Sequence, residues 1–442
     1  MARKLFGTDG VRGVAGELLT AELALALGRA ATVQAGARHP RVLVVRDTRE
    51  SGEMLEVALA AGITAAGGDA LLGGVLPTPA APLLLGRYGF DLAAVISASH
   101  NPYADNGIKF FGADGFKLSD ATELRIEQRL DEPQVRPQRL GRVHRLHGTQ
   151  EDYLRSLHTR FADLDLTGAD VLLDCANGAT HRIAPEIFRR LGAAVTVLAD
   201  QPDGRNINDG CGSTHVDALA SIVVDGGHDL GFAFDGDGDR VLAVDRAGVV
   251  VDGDELIALA ALHLRFQDRL PGNGVVVTVM TNYGFHTAMR DAGVEVVTTK
   301  VGDRYVLEEL RARGWALGGE QSGHVIDMGF VPSGDGIASA LLTLEALAGR
   351  DLGERAAMEK LPQRLVNVRV ADRDAAMDSP ELAAATEEMS SVLAGRGRVL
   401  IRASGTEPLV RVMVEAPTAD EADGVCVRLV EIVQATAGAP AG

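Results

Sequence analysis

Cysteine is scarce in this chain. Only Cys175, Cys211 and Cys426 occur in 442 residues, far apart and without metal-ligand spacing. That argues against a disulfide framework and suits a reducing compartment. Aromatic residues make up only 4%, while Ala, Leu, Val and Gly abound, so the cores should be packed helices and aliphatic strands. Positive charge is also short: 43 Lys and Arg face 61 Asp and Glu, for a formal net charge of −18. With no Lys/Arg-rich block to offset it, no nucleic-acid footprint is expected, although arginines gathered in one cleft can still hold an anion. Long hydrophobic runs are missing too. His263 interrupts Ile257–Leu264 and Glu345 interrupts Ile337–Leu347, so no membrane span is predicted. No apolar signal core follows Arg3-Lys4, and a cytoplasmic location is expected. Neither the G-x-G-x-x-G nor the G-x-x-x-x-G-K-[ST] pattern occurs, which disfavours a nucleotide-binding dehydrogenase.

What is present is a repeated design. A chain of 442 residues is too long for one core, and three stretches share a pattern of strand, polar loop, helix, Gly and strand. Val42–Val45, Gly52–Ala66 and Ala70–Leu72 form the first. Val171–Leu173, Ile183–Leu191 and Ala193–Leu198 form the second, and Val275–Met280, Phe285–Ala292 and Val294–Val297 the third. Each reads as the crossover unit of a parallel sheet, with Gly67, Gly192 or Gly293 where the helix must turn left-handed before the next strand. From about Asn367 the pattern changes. Strands Asn367–Val370, Arg398–Ile401 and Val410–Glu415 alternate with helices Pro380–Ala394 and Ala419–Ala435, predicting a small α+β domain joined near Pro362.

Four motifs could carry chemistry. Asp235-Gly236-Asp237-Gly238-Asp239-Arg240 lies between the apolar strands Leu230–Phe234 and Val241–Val244, at a hairpin tip. Three carboxylates at alternate positions supply hard oxygen ligands, and magnesium is the favoured ion. A calcium EF-hand is excluded by Arg240 and Arg246, where that loop needs Gly and Glu; an Asp-x-Asp phosphatase-type nucleophile remains a rival. Ser97-Ala98-Ser99-His100-Asn101-Pro102 follows the apolar run Leu92–Ile96, which places hydroxyls at the carboxyl end of a sheet. A serine there needs activation or a stabilised product, which a neighbouring metal would supply; two serines capping a following helix is the plainer alternative. Gly318-Gly319-Glu320-Gln321-Ser322-Gly323-His324 offers a carboxylate, a hydroxyl and an imidazole for sugar hydroxyls, or is an ordinary polar turn. Arg402-Ala403-Ser404-Gly405-Thr406-Glu407-Pro408, with Arg411, can hold a phosphate monoester between arginines and backbone amides, or is a plain Ser-Gly turn.

In this order the four motifs resemble those of the α-D-phosphohexomutase superfamily. Phe6-Gly7-Thr8-Asp9-Gly10-Val11-Arg12-Gly13, Arg46-Asp47-Thr48-Arg49 and Asp105-Asn106-Gly107-Ile108-Lys109 extend the likeness over essentially the whole chain. Glu320–His324 and Val301-Gly302-Asp303-Arg304-Tyr305-Val306 are similar to the glucosamine branch, the phosphoglucosamine mutases; Ala403 departs from a frequent Pro.

The resemblance implies three related α/β domains with mixed or parallel sheets, and a smaller C-terminal α+β domain, around a central cleft. Their expected limits are 1–150, 151–250, 251–365 and 366–442, carrying in turn the phosphoserine, metal-binding, sugar-binding and phosphate-binding loops. It implies a phosphate on Ser99 that completes a magnesium site with Asp235, Asp237 and Asp239, steadied by Arg12, His100 and Arg240. Lys109 is the implied proton-transfer partner. Glu320, Ser322 and His324 would bind sugar, while Arg402, Ser404, Gly405, Thr406 and Arg411 would bind the unreacting phosphate. The implied reaction is an isomerisation of glucosamine 6-phosphate to glucosamine 1-phosphate through a 1,6-bisphosphate. Glucosamine or glucose 1,6-bisphosphate would be the activator, and the product would feed UDP-N-acetylglucosamine and cell-wall synthesis. A homodimer is left open. The alternatives are a phosphomannomutase/phosphoglucomutase of broad specificity, an aspartyl-phosphate transferase using Asp235, and a non-catalytic phosphosugar-binding protein. Retention of Ser99 and all three aspartates speaks against the last.

Overall fold

The computed structural model describes residues 5–7, 9–132, 137–403 and 408–437. The chain divides into two compact units. One is Met1–Met280 with Val294–Arg355, and the other is Thr281–Gly293 with Ala356–Gly442.

The first unit contains three sheets. The largest has seven strands, running across from Phe6–Gly7 through Gly10–Val14, Asp105–Gly112, Leu92–Ile96, Arg41–Arg46 and Asp69–Val75 to Val143–Arg145. The second has five, in the order Val250–Val251, Val241–Asp245, Leu230–Phe234, Asp170–Asp174, Ala194–Leu198. The third has four: Glu295–Thr299, Gly274–Thr278, Leu317–Gly319 and Val325–Asp327. All three predicted crossover pairs are parallel, with Val42 opposite Ala70, Val171 opposite Val195 and Val275 opposite Val296. Gly67, Gly192 and Gly293 have φ of 90°, 103° and 68°, the left-handed region that the step from helix to strand requires. Helix Tyr283–Asp291, between the third pair, is counted with the second unit.

Two strands of the largest sheet carry no apolar-run signal. Gly10–Val14 and Asp105–Gly112 are antiparallel, with Arg12 opposite Gly107, and Lys109 lies opposite Val95 on the next strand. Their glycines and Asp105-Asn106-Gly107 read as turns. Gly107 is there for space, since a Cβ at that point would come within 2.5 Å of the Ser97 carbonyl. These strands bring Arg12 and Lys109 beside the end of Leu92–Ile96.

The second unit is built on a three-stranded antiparallel sheet, Gln363–Arg369, Leu409–Glu415 and Arg398–Ala403. Helices Pro380–Val392 and Ala419–Ala437 pack on it through Leu382, Met389, Leu429 and Val433 against Val410, Val412 and Val414. Among the described residues no helix is long and apolar enough to cross a membrane.

Helices Ala21–Ala35 and Ser51–Ala65 approach backbone to backbone at two glycines. A Cβ on Gly62 would lie 2.0 Å from the Leu25 carbonyl oxygen, and one on Gly28 2.4 Å from that of Leu59. Gly62→Ala is therefore expected to lower stability by about 1–3 kcal/mol in a denaturant titration. Gly86→Ala is the control: Gly86 is exposed in helix Ala80–Tyr88, a Cβ there meets no atom within 4 Å, and a gain of about 0.5–1 kcal/mol is expected.

Candidate active site

Two loops meet at Ser99. The first leaves strand Leu92–Ile96 and runs through Ser99 to strand Asp105–Gly112, so no helix follows the serines for them to cap. Ser99 is buried and takes φ of 53°, unusual for a residue other than Gly, Asn or Asp. Its Oγ donates to Asp235 Oδ2 at 2.5 Å and lies 3.2 Å from His100 Nδ1. The second loop is the predicted hairpin tip: Phe234 pairs with Val241, leaving residues 235–240 to turn between the strands.

Asp235, Asp237 and Asp239 are 0%, 1% and 4% exposed, and their carboxylates offer oxygens that lie within 4.8 Å of one another. Burial, reinforced by Asp239 and Asp237, pushes the Asp235 carboxyl well above the ordinary range. Asp239 moves the other way: burial opposes its charge, but His324 and Lys109 hold it below the usual carboxylate value. Lys109 Nζ stands 2.8 Å from Asp237 Oδ2 and 3.5 Å from Asp239 Oδ2. Burial works against that ammonium, yet the surrounding carboxylates raise its pKa.

Arg240 donates its backbone N–H to Asp235 Oδ1 at 3.1 Å. Arg12 pairs with Asp9 and reaches the Ala98 carbonyl at 3.4 Å. Burial, then the nearby Arg240 and Arg12 charges, lower the His100 pKa, so its ring is neutral at neutral pH. The structure thus gathers Arg12, Ser99, His100, Lys109, Asp235, Asp237, Asp239 and Arg240 in one place.

The loop from Glu320 to His324 is also a hairpin turn, since Gly319 pairs with Val325. It is stitched to the acidic loop by the Val241 N–H, which donates to the Gly323 carbonyl at 3.1 Å. Glu320 is half-buried and accepts the Gly302 N–H at 2.9 Å, tying the two segments of the glucosamine-branch resemblance together. Ser322 is exposed. His324 is buried against the acidic loop, with Nδ1 3.5 Å from Asp239 Oδ1.

In the second unit, Arg402 and Arg411 sit directly opposite on neighbouring antiparallel strands. Like charges so placed repel. Burial and the Arg411 charge lower the Arg402 pKa. Ser404, Gly405 and Thr406 lie outside the described residues.

Several members of the centre have no obvious mark in the sequence. Thr78 donates its hydroxyl to Asp237 Oδ2 at 2.5 Å and its N–H to the Asp237 carbonyl at 2.8 Å. Its only signal is the turn Pro77-Thr78-Pro79. Lys117 pairs with both Asp9 and Asp303, and Asn208 holds the Ser99 carbonyl at 2.9 Å. A lone lysine or asparagine in a polar stretch carries no such message.

The residues fit a metal ion. Asp237 Oδ1 and Asp239 Oδ1 are buried without a hydrogen-bond partner among the described residues, which leaves two hard oxygen donors unsatisfied. Together with Asp235 they make a buried triad suited to a cation.

Fold and site together give three α/β sheets with a buried acidic triad, and a separate unit built on a three-stranded sheet. Sequence models of the phosphoglucomutase/phosphomannomutase α/β/α domains I, II and III match residues 3–136, 151–248 and 252–365, and the model of the C-terminal domain matches 365–432. The chain belongs to this family. It is 53% identical over 432 residues to phosphoglucosamine mutase of Moorella thermoacetica, covering 96% of this chain and 97% of that protein. With phosphoglucosamine mutase of Desulforudis audaxviator the identity is 51% over 439 residues, covering 97% of each. The fold is similar to that of a phosphoglucomutase/phosphomannomutase family protein from Burkholderia thailandensis, with TM-score 0.82, 23% identity and full coverage of both chains. It also resembles Aspergillus fumigatus N-acetylphosphoglucosamine mutase in complex with GlcNAc-6P and magnesium, with TM-score 0.69, 20% identity and coverage of 98% and 96%.

A buried, partly unsatisfied acidic loop should be stabilised by a cation that binds only the folded state. Magnesium at a hundredfold excess over its Kd should add about 2.7 kcal/mol of stability, read as a rise in the thermal midpoint that chelation reverses. Asp237→Asn should abolish the rise. A midpoint indifferent to magnesium in the unmodified protein would count against a metal at this loop.

Proposed function

We propose that this chain is a phosphoglucosamine mutase, interconverting glucosamine 6-phosphate and glucosamine 1-phosphate through a phosphoserine at Ser99. The observation that carries this reading is the 2.5 Å hydrogen bond from Ser99 Oγ into the buried aspartate triad. It is supported by full-length relatives, about half identical, that bear the phosphoglucosamine mutase name.

In this reading Ser99 gives its phosphoryl group to the sugar 1-hydroxyl, the bisphosphate turns around, and the 6-phosphoryl group returns to Ser99. Magnesium, held by Asp235, Asp237, Asp239 and the Ser99 phosphate, would supply charge neutralisation for the transferring group. Arg12, Arg240 and the neutral His100 steady that group. Lys109, 2.8 Å from Asp237, is assigned as the proton-transfer partner: it gives a proton to Ser99 Oγ as that oxygen loses its phosphoryl group and regains one from the attacking sugar hydroxyl. Glu320, Ser322 and His324 are assigned to the sugar, His324 acting from behind the acidic loop. The opposed pair Arg402 and Arg411, with Ser404, Gly405 and Thr406, is assigned to the phosphate that does not react. A sugar 1,6-bisphosphate primes the serine. Domain limits at 150, 250 and 365 follow from this assignment of one loop to each domain, and the three unpaired thiols suit the cytoplasm.

Peptide mass spectrometry should find phosphate on Ser99, and Ser99→Ala should lose nearly all turnover. A hydroxylamine-labile phosphate on Asp235 would instead establish the aspartyl-phosphate route.

Substrate choice is a separate question, settled by specificity constants, which measure differential transition-state binding. Glucosamine 6-phosphate should exceed mannose and glucose 6-phosphates. Equal or better constants for either of those sugars would give the broad-specificity mutase reading, with the serine chemistry unchanged.

A further inference from the structure

We propose that Arg49, with Asn208 as its counterpart from the second α/β domain, is a positioning residue. Together they hold Ser99 in the left-handed backbone geometry from which its hydroxyl meets the acidic loop. The proposal deepens the reading of Ser99 as phosphoryl carrier and rests on it.

A serine at φ of 53° does not stay there by its own preference. Such a conformation persists when the surroundings over-determine it, and here they form a closed circuit. The Ser99 N–H donates to Ser97 Oγ at 2.9 Å, and that hydroxyl donates to Asp47 Oδ2 at 2.6 Å. The same oxygen accepts Arg49 Nε at 2.9 Å, and Arg49 Nη2 donates to the Ser99 carbonyl at 2.9 Å. The circuit therefore starts at the N–H of Ser99 and ends at its C=O, fixing both peptide planes around the residue. The remaining guanidinium bonds go to the same loop, from Nη2 to the Asn101 carbonyl at 2.8 Å and from Nη1 to that of Pro102.

Asn208 closes the loop from the other side. Its Nδ2 donates to the Ser99 carbonyl at 2.9 Å and to the Asn101 carbonyl at 3.1 Å. Asn208 belongs to the domain that carries the acidic loop, and its own N–H is bonded to Ala176 at 2.9 Å. A Cβ on Gly236 would stand 2.6 Å from the Ser99 carbonyl oxygen, so the two backbones are already at closest approach. Arg49 thus sets the orientation of the Ser99 peptide, and Asn208 sets its distance from Asp235.

Stability alone does not call for this arrangement. Arg49 is wholly buried and, among the described residues, has Asp47 as its single ion-pair partner; a buried ion pair adds little over packed apolar side chains. What only a guanidinium supplies is a planar fork that meets three carbonyls at fixed angles. All of its hydrogen bonds go to backbone carbonyls and Asp47, so it acts through the Ser99 backbone and not on the hydroxyl.

The test compares the unmodified protein with Arg49→Lys, Ser97→Ala, Asn208→Ala and the double variant Arg49→Lys/Asn208→Ala. Glucose 1,6-bisphosphate is the phosphoryl donor, and single-turnover labelling of Ser99, kcat, KM and thermal midpoint are measured. Arg49→Lys keeps the charge and loses the fork, so labelling and kcat should fall together by about ten- to a hundredfold with KM nearly constant. Ser97→Ala and Asn208→Ala should show smaller falls, with midpoints lowered by the buried hydrogen bonds each one loses. The double variant should lose less than the product of the single losses, because both groups hold the same carbonyls. Unchanged labelling in folded Arg49→Lys would overturn the proposal. If that variant does not fold, unchanged labelling in both Ser97→Ala and Asn208→Ala would overturn it equally. Absence of phosphate on Ser99 in the unmodified protein is a different result, and would remove the phosphoserine reading itself.

Discussion

Three carboxylates within five residues, all but shut off from water, are the constraint around which the first unit is arranged. Buried negative charge of that density is tolerated only beside positive charge. The protein meets the demand with a ring of alternating groups. Asp239 faces Lys109 at 3.5 Å, Lys109 faces Asp9 at 3.9 Å, and Asp9 pairs with Lys117. Lys117 pairs with Asp303, Asp303 lies 3.6 Å from His324 Nε2, and His324 Nδ1 returns to Asp239 at 3.5 Å. Burial lowers the His324 pKa while Asp239 and Asp303 raise it, and its Nε2 accepts the Gly334 N–H at 3.2 Å.

The ring draws its members from all three α/β domains, which gives the acidic loop an unusual hold over the rest. Asp9, Lys109 and Lys117 come from the first sheet region, Asp239 from the second, and Asp303 and His324 from the third. Ion pairs of this kind contribute modestly to net stability, yet removing one partner leaves a buried charge uncompensated. Their value here is geometric. The phosphoryl transfer proposed for Ser99 requires groups from separate domains to keep their spacing to within a fraction of an ångström. Thr78, bonded to Asp237 through both its hydroxyl and its N–H, fixes the same relation between the first two domains without using charge.

Much of this was legible in the residues themselves, for definable reasons. The parallel pairs announced themselves because apolar runs, amphipathic helices and left-handed glycines such as Gly67 and Gly192 are local features with local causes. The acidic loop was legible because three aspartates alternating with glycine have few uses. Gly10–Val14 and Asp105–Gly112 were not, because their strand character comes from the neighbours they pair with and their composition is that of turns. Arg49 and Asp47 stood in a recognisable segment, but nothing in Arg46-Asp47-Thr48-Arg49 says that the second arginine is wholly buried with three carbonyls of a distant loop in its grasp. Thr78, Lys117 and Asn208 were silent for the same reason: their partners are far away along the chain.

The balance of charge around Ser99 suits the phosphoryl transfer proposed for it. Among the described residues, the cations around Ser99 are matched to carboxylates: Arg12 to Asp9, Lys109 to Asp237 and Asp239, and Arg240 to Asp239. A centre that must give up a phosphoryl group as readily as it takes one cannot present an unbalanced excess of positive charge, which would hold the group in place.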